Sequence, residues 1–146
     1  VNWGGKVHGG TVMRWIDEAA YVCAAGWNRG PTIAVYAGGV RFYRPLLIGS
    51  VVEVQARLVH TGRHSMHISV HVRSGDPKTV ERELTTHCMM IFVALDEERR
   101  SALVRQWVPV SDEDVALDAH ARHLIELRAR ADLLDRELPP RRAVDA

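Results

Sequence analysis

Between Gly9-Gly10 and Gly26, the residues Val12, Ile16, Ala19, Ala20, Cys23 and Trp27 recur at intervals of three and four. That spacing gathers them on one face of an amphipathic α-helix of about four turns, entered through a glycine pair. From Thr32 onward the texture changes to β-branched and aromatic residues at shorter range, in Ile33-Ala34-Val35-Tyr36, Val40-Arg41-Phe42-Tyr43, and the stretches 51–59, 67–72 and 84–95. These read as strands. The breaks between them, Arg29-Gly30-Pro31, 45–49, Thr61-Gly62-Arg63 and Ser74-Gly75-Asp76-Pro77, carry turn chemistry. In Val52-Glu53-Val54-Gln55-Ala56-Arg57-Leu58 and Ile68-Ser69-Val70-His71-Val72 apolar residues alternate with polar ones, the pattern of an antiparallel sheet with one covered side. A lone amphipathic helix ahead of such strands hides its stripe by lying on the apolar face of the sheet, so the predicted fold class is α+β.

The chain has 146 residues, 47% hydrophobic and 25% charged, the make-up of a globular domain that buries roughly 68–70% of its unfolded surface. Its 19 Lys and Arg stand against 18 Asp and Glu, a net charge of +1. Such a balance offers no basic stripe for a nucleic acid. No run approaches the roughly 20 apolar residues of a membrane helix, and the first residues lack a signal peptide's basic and apolar regions, so the expectation is a soluble, cytoplasmic protein without a membrane partner. Cys23 and Cys88 lie far apart in apolar patterns, which reads as two core thiols rather than a disulfide framework or metal cluster.

Residues 111–146 form a second regime, with nine acids and six bases for a charge of −3, against +4 over residues 1–110. The expected division is a main domain over 1–110 and a helical extension over 111–146. Ser111 is placed to cap a helix entered through Asp112-Glu113-Asp114, acids that suit a helix N-terminus. Leu117, His120, Leu124, Leu127, Ala131, Leu134 and Leu138 follow near-heptad spacing until Pro139-Pro140, the pattern of a helix lying on its own subunit or packing an oligomer.

The block 2–20 concentrates the chemistry. Asp17 follows Ile16 in mid-helix, near the covered stripe, where burying a carboxylate costs several kcal/mol unless it is paired or used; a solvated position is the plainer reading. Gly9 and Gly10 can bring backbone N–H groups at a helix N-terminus close to a ligand oxygen. His60, His64, His67 and His71 lie on strand-like segments without zinc-site spacing, so no metal is assigned. No Gly-x-Ser-x-Gly elbow is present. Thr61-Gly62-Arg63-His64-Ser65 reads as a hairpin turn, and Met13 and Trp15 as plain core.

An Asn, then Val7-His8-Gly9-Gly10 leading into a helix, then an Asp fifteen residues after Asn2, resembles the hot-dog-fold acyl-CoA thioesterases. Val40-Arg41-Phe42-Tyr43-Arg44-Pro45 before Ile48-Gly49-Ser50-Val51-Val52, Thr61-Gly62-Arg63-His64-Ser65-Met66, and Phe92-Val93-Ala94-Leu95-Asp96 resemble its cytosolic acyl-CoA hydrolase branch. The likeness covers residues 2–96 in order and leaves the tail outside it.

The resemblance implies a hot-dog fold, one long helix wrapped by a curved antiparallel sheet, with two units pairing edge to edge around the active site and dimers assembling into a trimer of dimers. It implies hydrolysis of fatty acyl-CoA to fatty acid and CoA, with no cofactor, CoA being part of the substrate. The carboxylate of Asp17 would act as general base on water or as nucleophile, Asn2 would place the water or carbonyl, and Gly9 would offer its N–H to the carbonyl oxygen. His8 and Gly10 would complete the turn at the substrate, and Gly62, Arg63, His64 and Ser65 would lie near CoA, Arg63 meeting phosphate and Ser65 the pantetheine arm. Asp17 lies about 12 Å along the helix from Gly9, too far for one carbonyl, so each site is expected to take Asn2 and Gly9 from one chain and Asp17 from the other. The alternative is a hot-dog module that binds acyl-CoA without cleaving it, for which a base has no use. A hot-dog dehydratase would want a catalytic His motif that the sequence lacks.

Overall fold

Helix α1 (Gly9–Asn28) starts where His8, in extended backbone at φ −64° and ψ 136°, turns its side chain back to accept the Gly10 N–H. It stops at Arg29, which adopts the left-handed conformation at φ 57° and returns its N–H to the Ala25 carbonyl at 2.8 Å. The computed structural model describes residues 4–137. Val12, Ile16, Ala20 and Ala24 are the fully buried line of the helix. Ala19, Cys23 and Trp27 of the predicted stripe flank that line and are half-buried.

Strands β1 (Thr32–Phe42), β2 (Val51–Thr61), β3 (Ser65–Gly75) and β4 (Glu83–Ala94) form one sheet in the order β1-β4-β3-β2, every neighbouring pair antiparallel. The two short segments expected at 33–36 and 40–43 are one strand, bent by irregularities between Ala34 and Tyr36 and between Gly38 and Arg41. Gly38 has a packing reason: a Cβ there would fall 2.2 Å from the Tyr36 hydroxyl oxygen. Alternation along the strands sends Met66, Ile68, Val70 and Val72 of β3 and Cys88, Met90, Phe92 and Ala94 of β4 to the face that receives α1. Met13 and Trp15 pack against this core as expected. Cys88 is fully buried and Cys23 half-buried, and burial raises the pKa of both thiols.

The expectation of one covered side holds for the first half of β2 but not for its second half, β3 or β4, whose second face is also covered. Helix α2 (Asp112–Asp135) lies there, begun by a capping box in which the Ser111 side chain accepts the Asp114 N–H and the Asp114 carboxylate accepts the Ser111 N–H. Its contact with the sheet is partly apolar, Leu117, Ala121 and Leu124 against Val59 and Met89, and partly ionic. Arg57 pairs with Glu113 at 3.0 Å and with Asp114, and His60 donates through Nδ1 to Asp118 at 2.6 Å, which also accepts from Arg122 at 2.9 Å. These anchors set the rotation of the helix. Of the near-heptad series, Leu117 and Leu124 face the sheet, whereas His120, Leu127 and Leu134 are exposed; Leu138 lies outside the described residues. Burial opposes ionisation of Asp118, yet the hydrogen bonds from His60 and Arg122 hold its carboxyl below the usual range.

Three imidazoles are trapped between the sheet and α2. His67 is 5% exposed, and burial, with the charges of His60 and Arg128 beside it, lowers its pKa to about 4. Burial likewise lowers His71 and His87, which sit opposite one another on β3 and β4. In the unfolded chain such groups take up protons near pH 6.5, so between that pH and about 4 the unfolded state binds more protons and stability falls on acidification. His67 alone accounts for a loss of about 3 kcal/mol across that window. Urea midpoints compared at pH 7 and pH 5 should fall in the native chain and fall less in His67→Gln.

Candidate active site

The lead-in to α1 is pinned to the loop after β1. Val7 donates to the Leu46 carbonyl at 2.8 Å and Ile48 to the Gly5 carbonyl at 2.9 Å. This holds Gly9 at the mouth of a cavity of about 320 Å³ lined by Lys6, Val7, Val12, Phe42, Tyr43 and Leu46 among others. Gly9 occupies the first helical position, where an N–H has no partner four residues back. The Gly10 N–H differs, being taken by His8 Nδ1 at 3.1 Å. His8 is therefore an N-cap, and of the two expected glycines Gly9 is the one whose N–H the helix leaves to a ligand. A carbonyl oxygen there would meet the positive end of a helix of 20 residues.

Asp17 is exposed on the flank of α1, not buried in its stripe. One turn further on the same flank, Tyr21 brings its ring centroid 6.5 Å from that of Phe92, and Phe92 pairs with Ala34 of β1. The flank that carries Asp17 thus looks toward β1, one of the two edge strands, whose outer edge has no partner among the described residues. Ile33 and Val35 on that strand are 47% and 48% exposed, and Tyr21 is 50% exposed. Within one chain Asp17 and Gly9 stand about 12 Å apart along the helix and do not converge.

The residues 62–65 form the hairpin between β2 and β3, as their turn chemistry suggested, with the Gly62 N–H on the Ser65 carbonyl at 2.9 Å. His64 Nδ1 donates to the Ala102 carbonyl at 2.9 Å and Ser65 Oγ pairs with His67 Nε2 at 3.1 Å. These two side chains anchor their own fold, while the Arg63 side chain is exposed. The register sets Ser65 beside Val93 and Thr32 beside Ala94 at one end of the sheet, and Phe42 and Val72 beside Thr86 toward the other. Seven or eight residues along β4, roughly 25 Å, separate the two rows. The hairpin and Gly9 are therefore not brought together in one chain. Asn2, the remaining expected site residue, lies outside the described residues.

Phe42, Tyr43 and Leu46 wall the cavity at Gly9, a role the sequence reading did not assign. Their signal was present in Val40-Arg41-Phe42-Tyr43-Arg44-Pro45, which reads as a strand running into a turn and carries no polar residue type that by itself marks a site. Among the described residues no three His, Cys, Asp or Glu side chains stand together so as to hold a metal ion.

A family model, the thioesterase superfamily, matches residues 4–81. A Zymomonas mobilis protein named as an uncharacterized acyl-CoA thioester hydrolase is 35% identical over 107 residues, covering 70% of this chain and 69% of its own length. The crystal structure of an apo-hexameric acyl-CoA thioesterase superposes with a TM-score of 0.86 at 31% identity, over 90% of this chain and 85% of the other. An acyl-CoA hydrolase of Staphylococcus aureus, solved with butyryl coenzyme A, coenzyme A and coenzyme A disulfide, gives a TM-score of 0.86 at 25% identity, over 94% of this chain and 84% of the other. With one long helix laid along an antiparallel sheet and this extent of match, the chain has the hot-dog fold and belongs to the thioesterase superfamily.

Proposed function

We propose that this chain hydrolyses fatty acyl-CoA in the cytoplasm, at composite sites in a dimer built on the open edge of β1. The observation that carries the reading is the placement of Asp17: an exposed carboxylate on the flank of α1 beside an unpaired, apolar strand edge. Two β1 edges meeting across a two-fold axis run antiparallel, so the partner's α1 passes in the reverse direction and its Asp17 flank runs back past Gly9. The hairpin lies at the far end of the sheet from Gly9, so the Arg63 serving a given Gly9 comes from a neighbouring protomer. Dimers would associate further into a hexamer, the state in which a relative of 31% identity was crystallised.

The chemistry needs few parts. The Gly9 N–H donates to the thioester carbonyl oxygen and stabilises the oxyanion of the tetrahedral intermediate, worth about 10²–10³ in rate for one such donor. Asp17 of the opposite chain takes a proton from the attacking water, or attacks the carbonyl itself, with Asn2 orienting the reacting group. Collapse of the intermediate breaks the C–S bond, and the CoA sulfur leaves as free thiol with the proton that Asp17 took from water. If Asp17 itself attacks, CoA leaves as thiolate and takes its proton from solvent, and water then hydrolyses the acyl-Asp17 anhydride to free the fatty acid and restore the carboxylate. A positioned carboxylate base adds about 10²–10⁴. Arg63 meets a CoA phosphate with its fork of donors.

Release of free thiol from acyl-CoAs of increasing chain length tests the reading. Asp17→Asn should fold normally and lose several orders of magnitude in kcat; near-normal turnover would remove Asp17 from the reaction. Binding of acyl-CoA with no thiol released by either protein would make this a binding module. Mixing inactive Asp17→Asn and Asn2→Ala chains under exchange should restore about a quarter of native activity, since half the dimers then hold one intact site. No recovery would mean that each chain supplies its own complete site. Arg63→Ala should raise KM more than it lowers kcat, because a phosphate contact binds substrate and transition state about equally; an unaltered KM would place Arg63 away from the nucleotide.

A further inference from the structure

The face of the sheet turned away from α1 holds a separate cavity of about 180 Å³. Met89 and Ile91 of β4 and Leu124 and Ile125 of α2 form its walls, and Gly38 and Gly39 of β1 leave it without side chains on one side. This apolar space carries one cation. Tyr36 folds back across Gly38, where only a glycine leaves room for its hydroxyl, and the Arg128 guanidinium stacks on the Tyr36 ring at 4.4 Å from the ring centroid.

Stacking engages the flat face of a guanidinium and leaves the N–H donors around its edge available. The paired carboxylate, Asp132, stands 3.8 Å from Arg128 Nε, beyond hydrogen-bond length, and among the described residues Arg128 makes no hydrogen bond. Of the other polar groups in the wall, the Tyr36 hydroxyl is folded over Gly38, and His67 is buried and neutral above pH of about 4, with its Nε2 engaged by Ser65. The cavity therefore presents an apolar body and a single positive edge. Empty apolar cavities of about 150 Å³ accept a benzene ring, so this one takes a ring or a chain of about six carbons.

We propose that this cavity binds a small apolar monocarboxylate, its body held among Met89, Ile91 and Leu124 and its carboxylate on the edge of Arg128. A carboxylate arriving in the guanidinium plane exchanges a long, one-sided contact with Asp132 for a bidentate pair. The site lies across the sheet from Gly9 and Asp17 and does not rest on the proposed hydrolysis.

The test is a titration of the full chain with hexanoate, followed by the backbone amide resonances of Gly38, Gly39 and Ala121, with hexan-1-ol as the neutral counterpart. Hexanoate should give saturable shifts in the millimolar range, and hexanol should bind at least about tenfold more weakly, the cost of forgoing the charged pair. Arg128→Gln should abolish that preference while hexanol still binds, which also shows the variant folded. Ala131→Leu, a good helix former that fills the rim, should exclude both ligands. No saturable shift at these residues, equal binding of acid and alcohol, an unchanged preference in Arg128→Gln, or shifts confined to the first turn of α1 would each overturn the proposal.

Discussion

The burial of Val12, Ile16, Ala20 and Ala24 against Ile68, Val70, Met90 and Phe92 is the contact on which the rest of the molecule depends. Each fully buried Val, Ile or Phe is worth about 1.5–3 kcal/mol, so this one interface outweighs any ion pair in the chain. Its geometry matters as much as its energy. The alanines bring the end of the helix close to the sheet, and the stripe fixes both the direction of α1 along the strands and its rotation about its axis. From these two choices follow the position of Gly9 beside Phe42 and the presentation of Asp17 toward β1. A helix turned by one residue position, about 100°, would carry Asp17 away from that edge.

The two faces of the sheet are built on different physics. The α1 face is apolar and dry, whereas the α2 face mixes methionine and leucine contacts with the Arg57, His60 and Asp118 pairs and with imidazoles kept neutral by burial. A partly exposed pair such as Arg57–Asp114 adds little net energy, since screening and side-chain entropy offset most of the attraction. What it adds is rotational register, because carboxylates on successive turns of α2 meet bases on one strand. The helix thereby lies down on its own subunit with Leu127, Leu133 and Leu134 outward, and the outer edge of β1, one of the two edge strands, is left without a partner among the described residues. Native sheets usually blunt such an edge with charges, prolines or a covering element, yet this one presents Ile33 and Val35.

The α1 stripe, the four breaks between α1 and β4 and the strand-rich middle were legible in the sequence because each rests on residues close together along the chain. The strand order was not, because Thr32 pairs with Ala94 and Ser65 with Val93, contacts that no local pattern encodes. Bends at Gly38 and Gly39 split the pattern of β1 into two apparent strands. The seam of α2 was misjudged for a physical reason: its orientation is set by Asp114 and Asp118, polar residues that an apolar repeat passes over, and their partners Arg57 and His60 read only as the solvent side of β2. At the candidate site, Gly9, His8 and Asp17 stood out as residue types, His8 as part of the turn ahead of the helix and not as its cap. That the cap occupies Gly10 and leaves Gly9 emerged only from the folded structure, whereas the exposed position of Asp17 was already the plainer reading of the sequence.

In the proposed dimer Gly9 and Asp17 would serve different carbonyls although both sit on one helix. An α-helix is a rigid ruler, fixing the two groups about 12 Å apart along its axis without dependence on any loop. In the proposed dimer a two-fold operation applied to this rigid ruler would return a second distance that is equally fixed, so that one helix in each protomer would position both halves of two sites. The precision would then rest on the β1 edges, since a ladder of backbone hydrogen bonds between them allows registers only in discrete steps. In the proposed dimer the apolar edge that would be a liability in a lone chain is thus the element that sets the distance between base and oxyanion donor, and the loss of that pairing removes the chemistry while leaving every catalytic side chain in place.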